Sequence, residues 1–213
     1  MDIALFDFDG TITDREMFVA FLEHAVPRRR LALGKVFLAP LIVGYKLGVV
    51  PANTIRAAAV RVGLSGAPLQ AVEHAATSFA TDVLPSTVRP VALERIRWHQ
   101  ARGDRVVVVT GALELALRPW CDRHSVELVG SQLEHRGGRL TGRYSRPQCL
   151  RQHKVSRVAE LYDLEQYAAV HAYGDTPDDF ALLSVAHHGH YRWQPYKAGA
   201  NNSSKPTPLR GAA

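Results

Sequence analysis

Two aspartates follow a short apolar run near the start of the chain. Residues 3–6 read Ile-Ala-Leu-Phe, and Asp7, Asp9 and Gly10 come directly after them. Two carboxylates so close together repel each other unless a cation lies between them or one of them is protonated, and Mg²⁺ prefers such oxygen ligands. The pattern therefore predicts a Mg²⁺ site that includes Asp7 and Asp9. An ordinary turn in which an aspartate caps a helix is the simpler alternative.

Further polar residues follow other apolar runs. Four consecutive valines at 106–109 lead into Thr110 and Gly111, and the run at 169–173 is followed by Asp175 and Asp179. Lys154 lies in a segment with a helical pattern between them. Because ligands bind at the carboxyl ends of the strands in an open α/β sheet, we expect these side chains to meet the first pair of aspartates.

Together these residue types suit phosphoryl transfer. Asp7 is the expected nucleophile, which would form an aspartyl-phosphate, and Asp9 is the expected general acid and then general base. Asp175 would complete the metal site with Asp7 and the backbone carbonyl of Asp9. The groups expected at the substrate's phosphate are Thr110, the Gly111 amide, Lys154 and Asp179, the last by holding Lys154 or a metal-bound water.

The elements that must position these residues alternate between strands and helices. Residues 1–14 and 89–196 predict a three-layer α/β core with a mostly parallel sheet, and residues 132–144 predict a β-hairpin that turns at Gly137 and Gly138. Between the two parts of the core, residues 15–88 show helical periodicity and no convincing strand. They predict an all-helical insert beside the acids that can act as a lid. Residues 197–213, rich in Gly, Asn, Ser and Pro, predict a disordered tail.

Composition narrows the class of protein. The 213 residues are 46% hydrophobic and 22% charged, as in a soluble globular protein, and the net charge is +6. No nucleic-acid-binding motif accompanies the positive charge. The two cysteines form no disulfide pattern and the chain shows no secretory signal, so we expect a cytoplasmic protein.

One segment is both basic and apolar. Arg28, Arg29 and Arg30 precede the apolar residues 31–50, which are interrupted by Lys35, Pro40 and Lys46. The longest uncharged stretch is too short for a helix that spans a membrane. The segment is consistent either with a buried helix of the insert or with a peripheral contact at the inner face of the membrane.

The ordered motifs resemble those of the haloacid dehalogenase superfamily. The resemblance rests on Asp7-x-Asp9-Gly10-Thr11, Thr110-Gly111, Lys154 and Gly174-Asp175-x-x-x-Asp179. The helical insert after the first motif, the hairpin and Cys149-x4-Lys154 are similar to subfamily IB, the phosphoserine phosphatase-like branch. This resemblance implies a Rossmann-like core, a helical C1 cap, Mg²⁺ as cofactor and hydrolysis of a small phosphomonoester.

The cap admits two interpretations of the substrate. Glu16 lies where phosphoserine phosphatases have a glutamate that binds the substrate's ammonium group, although an acid at this position would also suit the start of a helix. The cap is also similar to the phosphatidylglycerophosphatase C type, which implies a phospholipid head-group phosphate. The matching segments are Glu16-Met17-Phe18-x-x-Phe21-Leu22, the basic and apolar stretch, Ser131-Gln132-Leu133 and Tyr191-Arg192-Trp193-Gln194-Pro195.

The sequence thus predicts a Mg²⁺-dependent phosphomonoester hydrolase. Its substrate is either a phospholipid phosphate such as phosphatidylglycerophosphate or phosphoserine or another small metabolite. The alternative from a different class is an inactive relative that binds a membrane or a protein partner through its basic, apolar cap. The full set of acids with Thr110 and Lys154 argues against that alternative, because a binding module does not need them.

Overall fold

A six-stranded sheet organises the protein, whose computed structural model describes residues 1–196. Its strands are β1 (Ile3–Phe6), β2 (Arg105–Leu113), β3 (Glu127–Ser131), β6 (Val170–Gly174), β7 (His188–Tyr191) and β8 (Gln194–Tyr196). They lie in the order β3-β2-β1-β6-β7-β8, and every neighbouring pair is parallel except β7 with β8. The tail predicted at 197–213 lies outside the described residues.

Helices cover both faces of this sheet, and their bounds are α5 (Pro90–Ala101), α6 (Glu114–Arg123), α7 (Gln152–Leu161) and α8 (Phe180–Ser184). Alternate residues of β1 enter two separate apolar clusters, as the two-residue period of a strand requires. Phe6 packs in the cluster that contains α5 and α6. Leu5 packs in the cluster that contains Val158 of α7 and Leu182 of α8. The predicted three-layer α/β fold with a mostly parallel sheet is confirmed.

Four further helices lie between β1 and β2 in the chain, and we refer to them as the cap helices: α1 (Phe18–Ala25), α2 (Arg28–Lys46), α3 (Ala52–Leu64) and α4 (Leu69–Asp82). Helix α2 includes Arg28–Arg30, which precede the apolar stretch, and continues through Pro40. Because both Pro40 and Val36 are exposed, water can bond to the Val36 carbonyl that Pro40 leaves without a donor. Among the described helices, none has the length and apolar character needed to cross a bilayer.

A β-hairpin joins the cap helices to the core. Strands β4 (Leu133–Arg136) and β5 (Arg139–Tyr144) turn at Gly137 and Gly138, both with positive φ, as predicted from the Gly-Gly pair. The backbone of Leu140 exchanges hydrogen bonds with the turn after α3, donating to Ala67 at 2.9 Å and accepting from Gly66 at 2.7 Å. The hairpin therefore holds α3 against the edge of the core.

Gly142 should be essential for this junction. It has φ +78°, and a Cβ at this position would lie 2.7 Å from the Ser65 side chain and 3.1 Å from the Arg61 backbone. We expect Gly142→Ala to lower the free energy of unfolding by about 2–4 kcal/mol, because backbone strain and overpacking add. Urea denaturation monitored by circular dichroism measures the change.

Gly103→Ala is the matched control, because Gly103 has nearly the same φ, +76°, with nothing within 4 Å of its Cβ position. It should cost only about 1 kcal/mol, from backbone strain alone. Equal losses for the two variants would contradict a packing role for Gly142.

Candidate active site

The loop after β1 carries the first two candidate residues. Asp7 is buried, and its backbone N–H continues the strand pairing by donating to the Tyr173 carbonyl of β6 at 2.9 Å. The chain then makes a tight turn over Phe8–Ile12, in which Gly10 has φ +83°. A side chain at Gly10 would collide with the Asp175 carboxylate. Glycine therefore lets the loop approach the end of β6 closely.

Lys154 is enclosed by two carboxylates. It lies in the first turn of α7 and is 2% exposed. Its ammonium group donates to Asp7 and, at 2.6 Å, to Asp179. Burial works to lower the pKa of Lys154, but the charges of Asp7 and Asp179 outweigh burial and hold this pKa above its ordinary value. The positive charge of Lys154 therefore lies directly beside the carboxylate of Asp7, the expected nucleophile.

Asp9 connects the loop after β1 to the cap helices. Its carboxylate accepts a hydrogen bond from the Met17 backbone at 3.0 Å, directly before α1 begins. Burial raises the pKa of Asp9 to about 6, and the nearby charge of Arg56 partly opposes this rise. Burial also raises the pKa of Asp7, against the charge of Lys154. The expected acid–base group thus contacts the chain where the loop enters the cap.

Asp175 lies across the loop from Asp7. One carboxylate oxygen from each of Asp7, Asp175 and Asp179 lies within 4.8 Å of the others. Asp175 accepts a hydrogen bond from the Thr11 hydroxyl at 3.1 Å, and burial followed by the charge of Asp179 raises its pKa. Clustered carboxylate oxygens that repel one another form a donor set suited to a hard divalent cation. Asp7 and Asp175 of the predicted metal set therefore fit such an ion, and Asp179, expected to hold Lys154 or a metal-bound water, is the third carboxylate of the cluster.

Thr110 and Gly111 lie within β2, next to β1. Thr110 is fully buried and its hydroxyl oxygen accepts from the Ala112 backbone at 3.0 Å, which leaves the hydroxyl proton available to a ligand. The Gly111 carbonyl accepts from the Ser131 hydroxyl at 2.9 Å, and the same hydroxyl accepts from the Cys149 backbone at 3.0 Å. Ser131 thereby fixes the loop that leads into α7.

Glu16 lies at the solvent-exposed rim of the candidate active site. Its side chain is 67% exposed and forms an ion pair of 3.4 Å with Arg56, whose side chain is only 12% exposed. Arg56 projects from α3 over the Phe18 ring, 5.2 Å from its centroid, and its guanidinium lies 3.5 Å from the Gly111 carbonyl. Arg56 thus bridges the cap and strand β2 at Gly111. In the sequence it is an ordinary helix-surface cation with no motif around it.

Four of the predicted residues are connected by hydrogen bonds or by close approach of their carboxylates. Asp7, Lys154, Asp179 and Asp175 form one network, since Asp179 also accepts from the Asp175 backbone at 3.1 Å. Asp178, the neighbouring acid, instead pairs with Arg151 at 2.7 Å. The sequence assigns no role to Thr11, which belongs to the first motif, or to Ser131, which belongs to one of the matching segments.

Comparison with known sequences yields a family and two informative relatives. A model of haloacid dehalogenase-like hydrolases matches residues 4–184. The protein CicA of Caulobacter vibrioides is 34% identical over 195 residues, which cover 89% of this chain and 85% of that protein. Histidinol-phosphatase of Neisseria meningitidis serogroup C is 25% identical over 114 residues, about half of each chain (50% and 51%).

Solved structures share the fold. A Bordetella pertussis Tohama I protein of unknown function is 23% identical, with a TM-score of 0.75 over 89% of both chains. An analogue of the phospho-aspartyl intermediate of phosphoserine phosphatase is 19% identical, with a TM-score of 0.60 over 89% of this chain and 85% of that one. The likeness to both structures is one of fold.

The stability of the site should depend on Lys154. Replacing it by Met leaves Asp7 and Asp179 buried without their cation, and breaking a buried ion pair on one side costs about 3–5 kcal/mol. We therefore expect Lys154→Met to lower the free energy of unfolding by that amount in metal-free buffer, measured by urea denaturation.

Arg146→Met is the control, because Arg146 forms an ion pair of 2.7 Å with Glu160 that is about half exposed on both sides. Exposed pairs contribute little, so its unfolding curve should match that of the wild type. A Lys154→Met curve that also matches the wild type would refute the buried charge network.

Proposed function

The chain belongs to the haloacid dehalogenase-like hydrolase family, and we propose that it is a phosphatase that cleaves phosphomonoesters through an aspartyl-phosphate on Asp7. The observation that carries this proposal is the buried contact between Asp7 and Lys154 at the carboxyl end of β1. A fixed cation beside a carboxylate nucleophile lowers the repulsion between that carboxylate and an anionic phosphate. The named phosphatase relatives support the same chemistry.

The reaction takes two steps. An Asp7 oxygen bonds to phosphorus while the bond from phosphorus to the ester oxygen breaks, and Asp9 gives the leaving alkoxide its proton. Asp9 then takes a proton from water, whose oxygen attacks phosphorus and releases inorganic phosphate and the free Asp7 carboxylate. The proposal for Asp9 is supported by its hydrogen bond to Met17, which fixes the carboxylate at the cap side of the site.

The remaining residues hold the phosphate and the nucleophile. Thr110, the Gly111 amide and Lys154 bind the phosphoryl oxygens. Asp179 positions Lys154, a role supported by their hydrogen bond of 2.6 Å. Asp7, Asp175 and the Asp9 carbonyl would hold Mg²⁺, which supplies positive charge to the phosphoryl oxygens when bound.

Glu16 and Arg56, at the rim of the site, would contact the part of the substrate that carries the phosphate ester. If the substrate is phosphoserine or a similar metabolite, Glu16 binds its ammonium group. Arg56, which already pairs with Glu16 at 3.4 Å, then faces an anionic group. We favour a phospholipid head-group phosphate, because the surface of α2 has the properties of a peripheral membrane contact.

The excess of positive charge lies between the end of α1 and the start of α4, and five of its basic residues belong to α2. Residues 24–72 contain seven of the 26 basic residues and none of the 20 acidic ones, so the rest of the chain has 19 basic and 20 acidic residues. Exposed apolar side chains of α2 accompany these charges, among them Leu33, Val36 and Phe37 at 62–75% exposure. A cationic helix with exposed apolar side chains complements an anionic bilayer surface.

Asp7→Asn should abolish turnover, with a loss of at least about a thousandfold, because an amide cannot form the aspartyl-phosphate. Phosphate release is measured with Mg²⁺ present or chelated, on p-nitrophenyl phosphate, phosphoserine and micellar phosphatidylglycerophosphate. The wild type should be active only with the metal and most active on the lipid. Asp14→Asn, in an exposed carboxylate paired with Arg15, should retain full activity.

Three results would change the proposal. Wild-type activity in Asp7→Asn would contradict the assignment of Asp7 as the nucleophile. Full activity in the presence of a chelator would contradict the requirement for a metal ion. A preference for phosphoserine would replace the lipid as substrate and assign Glu16 to the ammonium group.

The membrane contact is tested by co-sedimentation with vesicles. We expect binding to vesicles of phosphatidylglycerol and phosphatidylcholine, weakened by salt, and little binding to phosphatidylcholine alone. Val36→Asp should reduce binding at least about fivefold, because a charge enters the apolar contact. Val91→Asp, in an exposed valine of α5, is the matched control. Equal binding by both variants would contradict a role for α2.

A further inference from the structure

A cavity of about 350 Å³ lies among α1, α2 and α3. Its lining is largely apolar and includes Phe18 and Leu22 from α1, Leu38 and Ile42 from α2, and Ile55 and Ala59 from α3. The cavity opens to the surface, where the exposed Glu16 and Lys46 border it, and its apolar lining offers water few hydrogen-bond partners. Its size is within the range of sites that bind small ligands.

Two residues of the lining connect the cavity with the candidate active site. Glu16 and Arg56 line the cavity and also pair with each other at 3.4 Å. Arg56 lies 3.5 Å from the Gly111 carbonyl, beside the residues expected to hold the phosphate. The Met17 N–H, next to Glu16 in the chain, donates to Asp9. A molecule in the cavity therefore contacts Glu16 and Arg56, which lie beside Met17 and Gly111 at the edge of the candidate active site.

The distribution of polar groups suggests the occupant. Glu16 and Arg56 place charged groups where the cavity lies beside the candidate active site. Away from these two residues most of the lining is apolar, and Lys35, which borders it, is already paired with Glu23 at 3.0 Å. An amphiphile with a phosphate and an aliphatic chain matches this combination, whereas a small polar metabolite would leave the apolar part unused.

We infer that the cavity binds the aliphatic chain of the phosphomonoester whose phosphate is cleaved at Asp7. This inference rests on the proposed phosphatase function and adds to it the place where the apolar part of the substrate is recognised. Binding of the aliphatic chain stabilises the enzyme–substrate complex and the transition state equally. It therefore lowers KM more than it changes kcat.

Monoalkyl phosphates from butyl to decyl, used below their micelle concentrations, test this directly. For the wild type we expect KM to fall about two- to fourfold for each methylene that enters the cavity, the factor for transfer of a methylene out of water. The kcat value should change little along the series. A KM that does not depend on chain length would overturn the inference while leaving the phosphatase activity in place.

Ala59→Leu fills part of the cavity from α3. It should reduce kcat/KM for decyl phosphate by at least about tenfold, because several methylenes lose their site, and leave butyl phosphate nearly unchanged. Ala71→Leu adds the same bulk at an exposed position of α4 and should behave like the wild type with both esters. Thermal unfolding of the two variants checks that both are folded.

A binding experiment separates failure of this inference from failure of the proposed function. Decylphosphonate, which resists hydrolysis, is titrated into the wild type and Ala59→Leu by calorimetry. Binding by the wild type that is weakened in Ala59→Leu supports the cavity even if no ester is hydrolysed, a result that would refute the phosphatase alone. Absence of binding, or equal binding by both proteins, would overturn the cavity as a chain site.

Discussion

The buried contact of Lys154 with Asp7 and Asp179 is the constraint on which the rest of the structure depends. Removing such charges from water is costly unless each is paired closely. The three residues come from the end of β1, the start of α7 and the turn after β6, so their pairing forces these elements to meet at one edge of the sheet. The strand order is consistent with this requirement, because β1 lies at the centre of the sheet between β2 and β6.

The sequence predicts this edge well for a simple reason. Parallel strands have their carboxyl ends on the same side, so Asp7, Thr110 and Asp175 must lie near one another once three apolar runs are recognised as strands. Ion-pair partners that depend on the conformation of a turn are harder to predict. Asp178 and Asp179 are adjacent and chemically identical, yet the short turn after β6 directs Asp179 to Lys154 and Asp178 to Arg151. Only the backbone conformation distinguishes them.

Long-range docking accounts for what the sequence does not reveal about the cap. The helical periodicity of α2 is visible, but its length through Pro40 is not, since a proline usually ends or bends a helix. Arg56 resembles any other cation on a helix surface until α3 is held by the hairpin through Gly66 and Leu140. The cavity is equally invisible, because it results from how three helices are spaced and not from any local pattern.

Two contacts couple the cap to the chemistry of the core. The Met17 backbone holds Asp9 from the start of α1, and Arg56 reaches the Gly111 carbonyl from α3. Both helices also line the apolar cavity. A displacement of α1 or α3 would therefore alter the orientation of Asp9 or the contact with Gly111. Since catalytic geometry tolerates only small displacements, occupation of the cavity and the placement of Asp9, the proposed acid–base group, are linked by the same two helices.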